Sequence, residues 1–153
     1  MKTYEYFSIL NSQLNFEELS ALDKLCVGAE GWSADDFRSE AQKSGGIVLA
    51  AYDGDRIAGL IAGFTAADTG EILTVGTAPE YRRKGAARAL LTEFFRLIPD
   101  EVENIALEVR QSNTAAIELY KSFGFKKAGV RKNFYTAPAE DADVMVCKLK
   151  DNK

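Results

Sequence analysis

Leu73-Thr74-Val75-Gly76-Thr77-Ala78-Pro79-Glu80-Tyr81-Arg82-Arg83-Lys84-Gly85-Ala86-Ala87-Arg88 reads as a strand, a tight turn and the first turn of a helix. Ala78-Pro79-Glu80 stops the strand, and four of the seven residues from Arg82 to Arg88 are basic. The first N–H groups of a helix have no internal partner, and the helix dipole adds partial positive charge there. Small residues at Gly85, Ala86 and Ala87 let a bulky anion approach that backbone closely. The physical reading is a phosphate or pyrophosphate cradle. A basic, solvated helix start with small residues for packing is the alternative. The stretch lacks the Lys-Ser/Thr ending of a Walker loop, and its glycines do not fit a dinucleotide fingerprint.

Working outward, strand and helix signals alternate. Upstream, Tyr4 to Leu10 reads as a first strand, and Phe16 to Val27 places Phe16, Leu19, Leu22 and Val27 near helical spacing. Ser33 can cap a second helix, with Asp35 and Asp36 at the positive end of its dipole and an end near Ser44-Gly45-Gly46. Ile47 to Tyr52, the turn Asp53-Gly54-Asp55 and Arg56 to Ala67 form a hairpin. Ala67-Asp68-Thr69-Gly70 turns into a strand from Glu71 to Thr77. Downstream, Gly85 to Ile98 predicts a long helix ended by Pro99, and Asn104 to Val109 another strand. Asn113 can cap a helix running through Phe123, with Gly124 as its terminator. Lys126 to Tyr135 and Asp143 to Leu149 close the chain as two strands around an irregular segment containing Pro138. The order βααβββαβαββ predicts an α/β fold, a mixed and mostly antiparallel sheet flanked by helices.

The chain has 153 residues, 46% of them hydrophobic and 27% charged, which suits one globular domain spanning 1–153. The longest apolar run, Ile47 to Tyr52, is far short of the ~20 residues of a membrane span. No signal-peptide stretch follows Met1. Cys26 and Cys147 lie far apart without metal-ligand spacing, so a reduced, cytoplasmic protein without metal is the expectation, with both cysteines buried as small hydrophobes. There is no histidine, which excludes Ser-His-Asp and Cys-His nucleophile systems and the usual zinc sites. Proton transfer must fall to Glu, Asp, Tyr, Lys or Cys. Residues 1–80 carry five basic and thirteen acidic side chains, residues 81–153 fourteen and ten. That asymmetry suggests one local anionic ligand rather than a long nucleic-acid track, although solvated faces of differing sign would give the same numbers.

Arg82-Arg83-Lys84-Gly85-Ala86-Ala87 resembles the Gln/Arg-x-x-Gly-x-Gly/Ala pyrophosphate loop of the GNAT N-acetyltransferases, and the element order resembles theirs over nearly the whole chain. The resemblance implies that the backbone of Val75, Gly76 and Thr77 pairs with the pantetheine arm of acetyl-CoA. It implies also that Arg82, Arg83, Lys84, Gly85, Ala86, Ala87 and Arg88 hold the pyrophosphate. Leu107-Glu108-Val109-Arg110, Ser112-Asn113, Ala115-Ala116-Ile117, Leu119-Tyr120 and Phe123-Gly124-Phe125 follow the pattern of the RimI subfamily, which acetylates the N-terminal alanine of a small-subunit ribosomal protein. Gly31-Trp32-Ser33 and Arg131-Lys132-Asn133-Phe134-Tyr135 also look like that subfamily. Carried over, Glu108 is the general base, Tyr120 the general acid, Asn113 a cofactor contact, and Trp32 and Tyr135 candidates for the peptide slot. Two positions depart: Ala78 replaces the usual Asp before the loop proline, and Ala87 the second loop glycine.

Taken on their own, the residues leave choices open. Glu108 interrupts an apolar strand from Ile105 to Val109, where it either points outward on an edge or serves the chemistry. Tyr120 shares a helical set with Ile117 and Phe123, so core packing competes with proton donation. Direct attack of an amine on a thioester needs no enzyme nucleophile, which agrees with the missing histidines. Three functions compete: an N-terminal protein acetyltransferase, an acetyltransferase for a free small amine or lysine side chain, and a non-catalytic CoA-binding module. The pairing of Glu108 with Tyr120 disfavours the last, and the Leu107–Phe125 match with Trp32 and Tyr135 favours the first.

Overall fold

Asn15 and Ser33 start the first two helices through their side chains. Asn15 Oδ1 accepts from the Glu18 N–H at 3.1 Å and opens α1 (Phe16–Val27), with Glu17 and Glu18 in the first turn. Ser33 and Asp36 exchange side-chain to backbone bonds of 3.0 and 2.9 Å, a capping box that opens α2 (Ala34–Gln42). The computed structural model describes residues 2–4 and 7–149. The chain divides into two compact units, residues 1–65 with 72–99, and residues 66–71 with 100–153.

The first unit holds β1 (Lys2–Tyr4), β2 (Phe7–Leu10), α1, α2, β3 (Gly46–Asp53), β4 (Arg56–Ala66), residues 72–77 of β5 (Thr69–Thr77) and α3 (Ala86–Arg96). Its strands follow one another in the order β1-β2-β3-β4-β5. The pairs β1–β2, β2–β3 and β3–β4 are antiparallel. Leu19, Phe37, Leu49, Leu60, Ile61, Leu90, Leu91 and Phe94 are fully buried in it. Each such side chain contributes roughly 1.5–3 kcal/mol of burial.

The second unit holds residues 69–71 of β5, β6 (Asn104–Arg110), α4 (Thr114–Ser122), β7 (Phe125–Thr136) and β8 (Ala139–Lys148). Its strand order is β5-β6-β8-β7. β6 runs parallel to β5 over Thr69↔Asn104, Gly70↔Ile105 and Glu71↔Ala106, and antiparallel to β8, which pairs antiparallel with β7. Along β6, Ile105, Leu107 and Val109 are buried, while Ala106, Glu108 and Arg110 occupy the other, half-buried face. Asn113 caps α4 by accepting from the Ala116 N–H at 3.2 Å.

The mixed, mostly antiparallel sheet with its helices is the α/β fold expected, with differences of detail. The stretch Tyr4–Leu10 is not one strand: β1 lies antiparallel to β2, with Tyr4 opposite Phe7, while Glu5 and Tyr6 lie outside the described residues. The turn before β5 is only Ala67-Asp68, because Thr69 and Gly70 already pair with β6. α3 stops at Arg96, short of Ile98, since a residue before proline avoids the helical region. The irregular segment around Pro138 shrinks to the two-residue turn Ala137-Pro138, and β8 begins at Ala139. Most of β7 is exposed, so its strand–strand pairing leaves no alternation in the sequence.

Candidate active site

In the first unit, the residues of the expected anion cradle fall together. After the short 3-10 turn Pro79–Tyr81, the backbone turns left-handed at Arg83 (φ 65°) and Gly85 (φ 92°). For Arg83 that conformation costs about 1–2 kcal/mol, whereas glycine adopts it freely, and strain of this kind accumulates at binding loops. Gly85 is the N-cap of α3 and brings no side chain to its first-turn N–H groups, and that turn contains no acidic residue. Arg82, Arg83, Lys84 and Arg88 are exposed around it, while Ala86 is buried and Ala87 half-buried. Tyr81 ties the turn down, its hydroxyl donating to Asp53 Oδ2 at 2.7 Å. Ala78 supplies no side-chain cap to the 3-10 turn; its N–H donates to the Ala58 carbonyl at 2.8 Å.

Val75, Gly76 and Thr77 lie in β5 beyond the three-residue register with β6. Cys26, on α1, is half-buried rather than buried, and its thiol donates to the Thr77 carbonyl at 3.4 Å beside that strand. Burial pushes the Cys26 thiol pKa up, and the charge of Arg82 opposes the rise. Cys147 is buried. Trp32 sits half-buried in the connection between α1 and α2, its ring 5.0 Å from that of Phe37.

The second unit gathers Glu108, Tyr120 and Tyr135. Glu108 pairs with Val144 of β8 and lies two residues beyond the register with β5, and its Oε2 lies 3.4 Å from Arg131 Nε. Tyr120 is 7% exposed, its ring edge-on to Phe125 at 5.8 Å. Burial, reinforced by the Tyr135 hydroxyl, pushes its phenol above the ordinary tyrosine range, so it remains protonated at neutral pH. Burial likewise raises the Tyr135 phenol; Arg110 opposes the rise, and Glu108 and Glu140 add to it. The Arg110 guanidinium stacks 4.2 Å over the Tyr135 ring. Arg110 also donates to the Pro138 carbonyl at 2.9 Å and pairs with Glu140 at 3.2 Å, pinning the β7–β8 turn. Hydrogen bonds from the Ser112 hydroxyl and N–H hold the Glu140 carboxyl below its usual range.

Two contributions escape the sequence reading. Arg110 and Glu140 support Tyr135 from positions whose proximity depends on strand register. Asp23 is 1% exposed and accepts two hydrogen bonds. Its signal was present: with Leu19, Leu22 and Cys26 it falls on the apolar stripe of α1, where a carboxylate demands partners. Among the described residues, no group of three His, Cys, Asp or Glu could hold a metal ion, and no helix is long and apolar enough to cross a membrane.

The chain belongs to the acetyltransferase (GNAT) family, whose model matches residues 10–125. It is similar to the ribosomal protein bS18-alanine N-acetyltransferase of Escherichia coli, 42% identical over 85 residues, a match spanning 54% of this chain and only 57% of that protein's length. It is 32% identical to the N-alpha-acetyltransferase RimI of Mycobacterium tuberculosis, over 80% of this chain and 78% of that one. The crystal structure of the Escherichia coli ribosomal-protein alanine N-acetyltransferase superposes with a TM-score of 0.81 at 27% identity, covering 96% of each chain.

Proposed function

We propose that this protein transfers the acetyl group of acetyl-CoA to the N-terminal α-amine of a protein, an N-terminal alanine of a ribosomal protein being the favoured acceptor. The observation that carries the reading is the loop from Arg82 to Arg88, with left-handed backbone at Arg83 and Gly85 and a helix N-terminus without a side-chain cap. Backbone N–H groups and four basic side chains suit a pyrophosphate. Bound acetyl-CoA supplies an activated acetyl group as a thioester.

The chain's own residues then divide the work. Val75, Gly76 and Thr77 offer extended backbone for strand-like pairing with the pantetheine arm, and Asn113 contacts the cofactor as well as capping α4. Glu108 takes the proton from the bound ammonium, directly or through water, so that the neutral amine can attack. An α-amine with a pKa near ~8 makes this removal easy at neutral pH. Tyr120, kept protonated by burial, gives its proton to the departing sulfur. Trp32 and Tyr135 are the candidates for contact with the peptide. The names of the relatives support the choice of a protein N-terminus.

The test is incubation with labelled acetyl-CoA and a panel of N-terminal peptides beside free amines and polyamines. Label confined to the peptides' α-amines supports the reading. Label on free amines alone makes it a small-amine enzyme, and CoA binding with no transfer makes it a binding module.

A further inference from the structure

Asp23 takes no part in the chemistry above, yet among the described residues it is the most deeply buried carboxylate. At 1% exposure its Oδ1 accepts from the Thr74 hydroxyl at 2.7 Å and its Oδ2 from the Trp32 N–H at 2.8 Å. One side chain on α1 thus ties strand β5 to the connection that carries Trp32. Ser20, one turn earlier on α1, donates its hydroxyl to the Trp32 carbonyl at 2.7 Å, so both backbone groups of Trp32 are fastened to one helix. Gly31 completes the clamp. A Cβ there would come within 2.9 Å of the Lys24 backbone, so the connection lies directly against α1.

The two ends of the Asp23 bridge differ in what else holds them. Thr74 lies in β5, whose following residue Ala78 is bonded to Ala58 and whose Thr77 carbonyl meets Cys26. The Trp32 backbone has the Asp23 and Ser20 bonds, and its ring rests on Phe37. Loss of the carboxylate should therefore displace the connection and leave the strand in place. We infer that Asp23 is a positioning residue for acceptor recognition, holding Trp32 at a fixed place relative to β5. The inference rests on the acetyltransferase reading and deepens it, by assigning acceptor affinity to a buried bridge on α1.

Trp32 is the one tryptophan in the chain, so its fluorescence reports the connection without any need for turnover. Three variants separate the outcomes. Asp23→Ala leaves both donors without their acceptor. Asp23→Asn can still accept from the Trp32 N–H while its amide donates to a rotated Thr74 hydroxyl. Ser20→Ala loosens only the second tether. The expected result is a red-shifted, more readily quenched Trp32 emission in Asp23→Ala, with parental emission in Asp23→Asn. Loss of a charged-group hydrogen bond should raise the peptide KM of Asp23→Ala roughly ten- to a hundredfold. Its acetyl-CoA KM should stay within about twofold of the parent, and Asp23→Asn should recover most of the peptide affinity. Unchanged emission in Asp23→Ala would overturn the positioning role. Altered emission with an unchanged peptide KM, or an equal rise in both KM values, would overturn the acceptor role. A parent that transfers acetyl to no amine overturns the function reading itself, and the acceptor role with it, whatever the fluorescence shows.

Discussion

Arg131 Nε lies 3.4 Å from Glu108 Oε2, so the proposed base faces a cation before any amine arrives. The arginine side chain is 60% exposed and the carboxylate 17%. With the arginine largely in water, the pair is worth about 0–1 kcal/mol, which an incoming ammonium can displace.

The two partners therefore differ sharply in what their loss should do. Glu108→Gln keeps the shape and removes the base, and should lower kcat by about 10²–10⁴-fold. Arg131→Ala should change kcat/KM for the peptide by less than about fivefold, the worth of an exposed pair. Steady-state kinetics on both variants decides it. A larger loss in Arg131→Ala than in Glu108→Gln would transfer the essential role to the arginine.

Tyr120→Phe should slow turnover by about 10²-fold or more while leaving acetyl-CoA affinity near the parental value. Because the Tyr120 phenol is raised by burial, it does not deprotonate in the ordinary working range. The pH–rate profile of the parent should thus show no loss assignable to Tyr120 below about pH 10. Kinetics of Tyr120→Phe at the parental rate would reduce the residue to packing against Phe125.

Stability should fall at high pH. The phenols of Tyr52 and Tyr120 are both raised in the folded state, chiefly by burial, with the bond to Glu18 assisting at Tyr52 and the Tyr135 hydroxyl at Tyr120. Folding therefore favours the protonated forms. Their contribution is complete below the unfolded value near ~10 and is lost as pH rises through the higher folded values. Denaturant midpoints measured from about pH 8 upward should decline beyond ~10, less steeply in Tyr52→Phe. A flat profile in the parent contradicts these shifts.

Gly85→Glu should abolish CoA binding. It forces a side chain into left-handed backbone at φ 92° and sets a carboxylate at the mouth of the proposed cradle. Calorimetric titration with CoA reads the effect, and circular dichroism checks that α3 survives. Parental affinity in a folded variant would remove the cradle from Arg82–Arg88.

Much of this architecture was legible because local signals agreed with tertiary ones. Ser33, Asn113 and Gly85 mark helix boundaries through chemistry confined to a few neighbouring residues, and α1 occupies the span its apolar spacing implied. The beginning of β8 was hidden because its first residues, Ala139, Glu140 and Asp141, are small or charged and lie against the largely exposed end of β7, where pairing leaves no hydrophobic period. Glu108 stood out because it interrupts an apolar strand, whereas Tyr120 shares a helical set with Ile117 and Phe123 and only the family resemblance singled it out. Arg131 facing Glu108, Arg110 stacked on Tyr135 and Asp23 between Thr74 and Trp32 are long-range relationships. They depend on registers and on a helix packing that no single stretch encodes.

The most direct measurement sets two peptides of otherwise identical sequence in competition for the protein and acetyl-CoA. One begins with a free alanine; the other has a blocked N-terminus and one internal lysine. An α-amine near ~8 and a lysine near ~10.4 differ by about 10²-fold in the neutral fraction available at neutral pH. The kcat/KM for the free alanine peptide should exceed that for the lysine peptide by at least this factor, with the acetyl group on the terminal nitrogen. Comparable rates on the blocked peptide would contradict the N-terminal assignment.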